Sequence, residues 1–253
     1  MQKRHNLVNL APNSVSTSLW KHGRLVSLLI AVIIISQLYA TAIADENSDC
    51  WQIDYSTNFA GHLRVTFSDR ALAMKLEKFG VTVIANGPQW NSVVYNDVNK
   101  RYLEVTSQQF RSSKFVENLL RRQLLKATSV QSEFTHKSRP IEGFQTSQMI
   151  LKKRNASGEM EETSEVWVTS GLNVPAHFKQ FLQIALGVSH EIDGTPLQIS
   201  VMEKDLVTNA PHLVQALIAY KIAKASNTDA FKPMAGYKAV KSEISLLTAD
   251  DAN

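Results

Sequence analysis

The residues able to do chemistry are few and scattered. Beyond residue 44 there are five histidines, His62, His136, His177, His190 and His212. None stands in a His-Glu-x-x-His run or in a paired spacing that would bring two imidazoles to one metal. The densest cluster is His190-Glu191-Ile192-Asp193. It sets an imidazole beside two carboxylates, as proton transfer would need, but a polar turn ahead of a strand gives the same pattern and is commoner for an isolated cluster. Cys50 is the single cysteine. It has no partner for an intramolecular disulfide and no histidine placed by motif to activate it, so it reads as a buried or N-terminal bystander. No Gly-x-Ser-x-Gly elbow, phosphate-cradling glycine loop or dinucleotide fingerprint occurs. The expectation is a protein that is not an enzyme and carries no metal or cofactor.

The strongest signal is an address. Residues 25–44, LVSLLIAVIIISQLYATAIA, are uncharged and apolar, preceded by Lys3, Arg4, Lys21 and Arg24 and followed by Asp45 and Glu46. A basic start, an apolar stretch and small residues at Ala40, Ala42 and Ala44 fit a secretory leader cleaved after Ala42 or Ala44. The run is also long enough to span a bilayer as an uncleaved anchor. Either way residues 45–253 are expected outside the cytoplasm: periplasmic or secreted if cleavage occurs, held at the membrane by the N-terminal helix if it does not. Cys50 lacks the small-residue context of a lipid-modified N-terminus. The partner expected from the leader is export machinery, with membrane contact only in the uncleaved case.

The leader also carries the net charge. Of 27 basic and 23 acidic residues, four bases and no acid fall within residues 1–44, which leaves 23 of each. The exported part is close to neutral, which excludes a nucleic-acid reading based on the pI of about 9.1. The clusters Lys100-Arg101, Arg121-Arg122 and Lys152-Lys153-Arg154 read as solvated turns or helix faces. Residues 45–253 suit one domain with a sizeable core.

The elements that must position any site follow from hydrophobic periodicity. Leu63, Val65 and Phe67 alternate with polar neighbours; Leu72, Met74 and Leu76 repeat the pattern; Val81 to Ala85, Trp90 to Tyr95 and Arg101 to Thr106 continue it. Broken at Gly80, Asn86-Gly87-Pro88 and Asn96-Asp97-Val98-Asn99, this predicts an antiparallel meander. Phe115, Val116, Leu119, Leu120 and Leu124 then recur at helical spacing, predicting a helix over 112–126. A polar connection is expected over 127–142. Strands are expected at 143–153 and 162–169, separated by a turn that holds the formal glycosylation sequon Asn155-Ala156-Ser157. Phe178, Phe181, Leu182 and Ala185 predict a second helix over 175–186, started by Pro175 and stopped by Gly187. Leu197, Ile199 and Val201 alternate again. Residues 212–225 satisfy both periods and are assigned to a strand, and residues 237–247 to a last one.

This order of elements carries a resemblance. The Tyr102 strand followed by a helix, Glu165-Val166-Trp167-Val168, Gly194-Thr195-Pro196-Leu197, and Phe231-Lys232-Pro233 with Gly236-Tyr237-Lys238 resemble exported bacterial domains of the periplasmic lipoprotein-carrier type and the uncharacterised families related to them. The likeness covers roughly residues 50–247. It implies an α+β fold in which a strongly curved antiparallel sheet, a half-open β-barrel, is covered by two or three helices and receives acyl chains on its apolar concave face. A half barrel of this kind would be lined by Leu63, Val65, Phe67, Leu72, Met74, Leu76, Leu197, Ile199 and Val201, with Phe178 and Leu182 on a covering helix. The same residues build the core of any such sheet. The expected function is an exported, non-enzymatic binding protein for a lipid, acyl chain or lipoprotein of the cell envelope. The alternative is a structural or protein-interaction domain with a filled core.

Overall fold

Alternation along six successive segments produces the first half of the sheet: β1 (Trp51–Thr57), β2 (Gly61–Phe67), β3 (Ala71–Leu76), β4 (Val81–Asn86), β5 (Asn91–Asn96) and β6 (Arg101–Val105). The computed structural model describes residues 49–120, 130–154, 158, 160–186, 192–204, 208, 210–226 and 228–248. The leader lies outside them, as do the 155–157 sequon, Arg121-Arg122, and His190 with Glu191. Residues 48–253 cluster as one compact unit. Among the described residues no helix is long and apolar enough to cross a membrane.

Register turns the alternation into rows. Ile53, Val65, Met74, Val83, Val94 and Leu103 lie opposite one another across the six strands. Tyr55, Leu63, Leu76 and Val81 form the next row and end at Asn96 and Arg101. A one-residue slip would turn each row to the opposite face, so burial of this face fixes the pairing.

The second half is β7 (Val130–Ile141), β8 (Phe144–Arg154), β9 (Met160–Thr169), β10 (Thr195–Lys204) and β11 (Pro211–Lys224). Here Met149, Val166, Ile199 and Leu217 make the corresponding inner row. The two halves join through β1 and β11. With β12 (Lys238–Ala239), the described strands form one curved, open sheet in the order β12-β6-β5-β4-β3-β2-β1-β11-β10-β9-β8-β7.

Four short helices accompany it: α1 (Ser107–Phe110), α2 (Ser113–Leu120), α3 (Ala176–Leu186) and α4 (Glu243–Leu247). Helix α1 starts with a reciprocal cap, Thr106 accepting from the Gln109 backbone while the Gln109 side chain accepts from the Thr106 N–H. Buried Phe115, Val116, Leu119 and Leu120 of α2, and Phe178, Phe181, Leu182 and Ala185 of α3, join the strand rows in one core. That helix-covered side is the inner face.

Three expectations are corrected. The connection assigned to 127–142 contains the twelve-residue strand β7. Among the described residues it is an edge strand with no neighbour on its outer side, and its largely exposed side chains carry no alternation to read. The strand assigned to 237–247 is two residues of pairing followed by helix α4. Ser242 caps that helix by accepting from the Ser245 N–H at 3.2 Å, and Glu243 occupies its first turn. Because β12 runs parallel to β6, the sheet is mixed rather than wholly antiparallel. The helix assigned to 112–126 is observed as Ser113–Leu120, and its remainder lies outside the described residues. The strand assigned to 212–225 is observed as Pro211–Lys224, with a bulge opposite Asp54 and Tyr55.

Candidate functional site

All eleven residues expected to line a concave face come together in the single inner core. Leu63, Val65, Leu72, Met74, Leu76, Phe178, Leu182, Leu197 and Ile199 are fully buried, and Phe67 and Val201 nearly so. The Phe178 ring lies 5.8 Å from that of Tyr55, whose hydroxyl donates to the Pro196 carbonyl at 2.9 Å. Burial pushes the Tyr55 phenol far above its ordinary range. Helix α3 is therefore seated between β1 and the start of β10. Gly194, just before β10, has φ +85° and its missing Cβ would lie 3.0 Å from the Thr169 carbonyl, so glycine is required there.

Buried polar groups occur in several parts of the molecule, and α3 carries two of them that stand out. The His177 ring is stacked between Trp90 and Phe110, at 5.6 and 5.4 Å between centroids. It is almost wholly buried, and its Nε2 has no hydrogen-bond partner among the described residues. One turn along the same helix, Gln180 Oε1 is also buried and without a partner among the described residues, and so is Ser92 Oγ at the inner position opposite Ala85 and Val105. Each such atom costs about 1–3 kcal/mol relative to a satisfied one. Trp90 is itself held at φ +57°, a left-handed conformation that costs a bulky residue about 1–2 kcal/mol. A strained aromatic, a neutral imidazole acceptor and an amide oxygen on one helix face make this a part of the core with unmet hydrogen-bonding capacity among the described residues. Nothing in the sequence sets His177 apart from the other histidines, because its signal is stacking between residues distant along the chain.

Burial holds the His177 pKa below the ordinary imidazole range. The nearby Arg111 charge acts in the same direction, and a hydrogen bond to the Trp90 backbone opposes both. Its folded pKa is thus below its unfolded pKa, so the unfolded chain takes up a proton first as pH falls. The stability from the neutral buried ring is complete above the unfolded value, about 6.5, and is lost on acidification through the folded value. Chemical denaturation is expected to show wild-type stability falling between about pH 7.5 and 5, and His177→Phe, which keeps the ring stack, losing that component. An equally steep fall in the variant would assign the effect to other groups.

Among the described residues no cluster of three His, Cys, Asp or Glu side chains converges to hold a metal. Cys50 is free and buried, and burial raises its thiol pKa, which makes it a poor nucleophile. Of the His190 cluster, the described Ile192 is buried in the core and Asp193 is exposed. Arg101, assigned to a solvated turn, is instead buried, with its guanidinium on the carbonyls at the end of α4.

No family model matches the chain, and no curated protein matches it. Among solved structures, an uncharacterized conserved protein from Thermus thermophilus aligns at 10% identity over 82% of this chain and 99% of that chain, with a TM-score of 0.41. A DUF1329 family protein from Desulfovibrio piger aligns at 11% identity over 76% of this chain and 94% of that chain, with a TM-score of 0.25. At these TM-scores neither overlap carries an argument about fold or function.

Proposed function

We propose that the chain is an exported, non-enzymatic binding protein for a hydrophobic ligand of the cell envelope: a lipid, an acyl chain or a lipoprotein. The observation that carries this reading is the pairing of a continuous apolar inner face with unpartnered polar atoms on its covering helix, His177 Nε2 and Gln180 Oε1. An acyl chain would replace α3 side chains against the strand rows. A hydroxyl or amide at its end would donate to the two orphaned acceptors. The same atoms favour opening, since lifting α3 returns them to water and relieves their desolvation cost.

Lipid extraction and mass spectrometry of protein purified from its native envelope is expected to find a stoichiometric acyl compound. Delipidated protein is expected to bind an apolar fluorescent probe that the natural lipid displaces. A delipidated protein that stays dark with the probe and yields no lipid would sink this reading. It would favour an interaction domain with a filled core, a reading supported by the near-complete burial of the eleven inner residues.

A further inference from the structure

The opposite face of the sheet carries a separate feature. A cavity of about 250 Å³ lies between the outer side of β2–β4 and the C-terminal segment that includes Asp229 and Met234. Its floor is set by register. Arg64, Lys75 and Thr82 are direct cross-strand partners in one row, and Thr66, Ala73 and Ile84 in the next. Lys232, Asp229 and Met234 contribute its roof. The C-terminal segment is held there by a second, small apolar cluster, in which Phe231 packs with Ala71, Ala73, Ile84 and Tyr95.

Most charges around the cavity are neutralised. Arg64 Nε donates to Oδ1 of buried Asp54 at 2.7 Å. Lys232 Nζ lies 2.5 Å from Asp229 Oδ1. Asp97, also in the lining, accepts from the neutral Tyr237 hydroxyl and keeps its negative charge. Lys75 alone among the lining cations has no ion pair or hydrogen bond within the described residues. It stands directly opposite Arg64, a like-charge pairing that a sheet tolerates at a cost. Arg64 engages Asp54 through Nε, so its terminal nitrogens keep donors available. Beside these cations, Ala73, Ile84 and Met234 supply an apolar wall.

We propose that this outer cavity is a binding site for a small organic oxyanion, a carboxylate or phosphate monoester with a short apolar tail, whose anionic group lies between Lys75 and Arg64. The anion pairs with the Lys75 ammonium and accepts from the terminal nitrogens of Arg64, and the tail lies along Ala73, Ile84 and Met234. The site is on the other face from the hydrophobic core and does not depend on the cargo proposed for that core.

Calorimetric titration of the purified full chain at low salt tests this, with butyl phosphate and butyrate as probes and butanol as the neutral control. At least one anion is expected to bind at least about tenfold more tightly than butanol, less so as salt screens the charges. Lys75→Gln is expected to weaken it at least about tenfold and Lys75→Arg to retain it, because only the charge is required. Met234→Trp, which fills the cavity and leaves Lys75 in place, is expected to abolish binding. Equal affinity for butanol, or anion binding unchanged in Lys75→Gln, would overturn the proposal. Binding to phosphatidylglycerol vesicles without binding of either soluble anion would also overturn it, in favour of a membrane surface. Lys75→Gln is expected to leave the apolar-probe signal of the inner core unchanged, so failure here and failure of the cargo reading are separately visible.

Discussion

Phe178→Ala is expected to lower the unfolding free energy by about 3–5 kcal/mol, the usual cost of emptying a buried phenylalanine site. The side chain is fully buried, its ring faces Tyr55, and it belongs to the helix that covers the inner rows. The lost transfer energy is joined by a cavity that collapses poorly, because one wall is a hydrogen-bonded sheet and the Tyr55 hydroxyl is already committed to Pro196. Since small domains are stable by only about 5–15 kcal/mol, the variant should be marginal at physiological temperature. Urea denaturation followed by circular dichroism checks the magnitude. Phe178→Leu, which keeps most of the volume, is expected to cost less than about 1.5 kcal/mol. A loss below about 1 kcal/mol in Phe178→Ala would mean that α3 is not a fixed part of the core.

Arg101→Met is expected to cost about 2–4 kcal/mol, with its main effect at the C-terminus. The buried guanidinium donates through Nη1 to the carbonyls of Ser245 at 2.7 Å and Thr248 at 2.9 Å. Asn96 and Asn99 donate to Leu246 O at 3.0 and 2.8 Å. At five residues α4 is too short to stand alone, so these donors and the buried Leu246 hold it in place. The guanidinium also places a positive charge at the carbonyl end of the helix, where it is favourable. Hydrogen exchange is the discriminating measurement: amides of residues 246–248 should lose protection in Arg101→Met well before those of β3 and β4. Uniform loss across the sheet, or none at the C-terminus, would contradict the anchoring role.

Two-sided strands were the legible part of the sequence. Segments 61–67, 71–76 and 81–86 place Leu63, Val65 and Phe67, then Leu72, Met74 and Leu76, then Val81, Val83 and Ala85 at every second position because that side meets the inner core. This spacing fixes both the strand and its inner face. Helix α3 was legible from Pro175, the apolar spacing and Gly187. β7 was not, because an edge strand with exposed faces leaves no periodic trace. β1 was also not assigned: it is a short run in which buried Asp54, partner of Arg64, sits between Ile53 and Tyr55. At the C-terminus, apolar Val240, Ile244 and Leu246 alternate closely enough to suggest a strand, while the cap at Ser242 decides for a helix. The inner residues were legible as core because apolar rows announce themselves. The His177 stack and the Lys75 cavity were not, since both depend on register and on segments that meet only after folding.

The position of β1 has a consequence in time. It is the first described strand, yet it lies between β2 and β11, so one edge is satisfied by its immediate successor and the other by nearly the last strand described. The β1–β6 and β7–β11 runs can each form by local pairing, but the seam between them must close a loop spanning most of the domain. Assembly of that seam should therefore limit the folding rate, as in proteins dominated by non-local contacts. On a chain emerging from its N-terminus, the β11 side of β1 has its partner only once residues 217–224 arrive, so the seam closes late in synthesis.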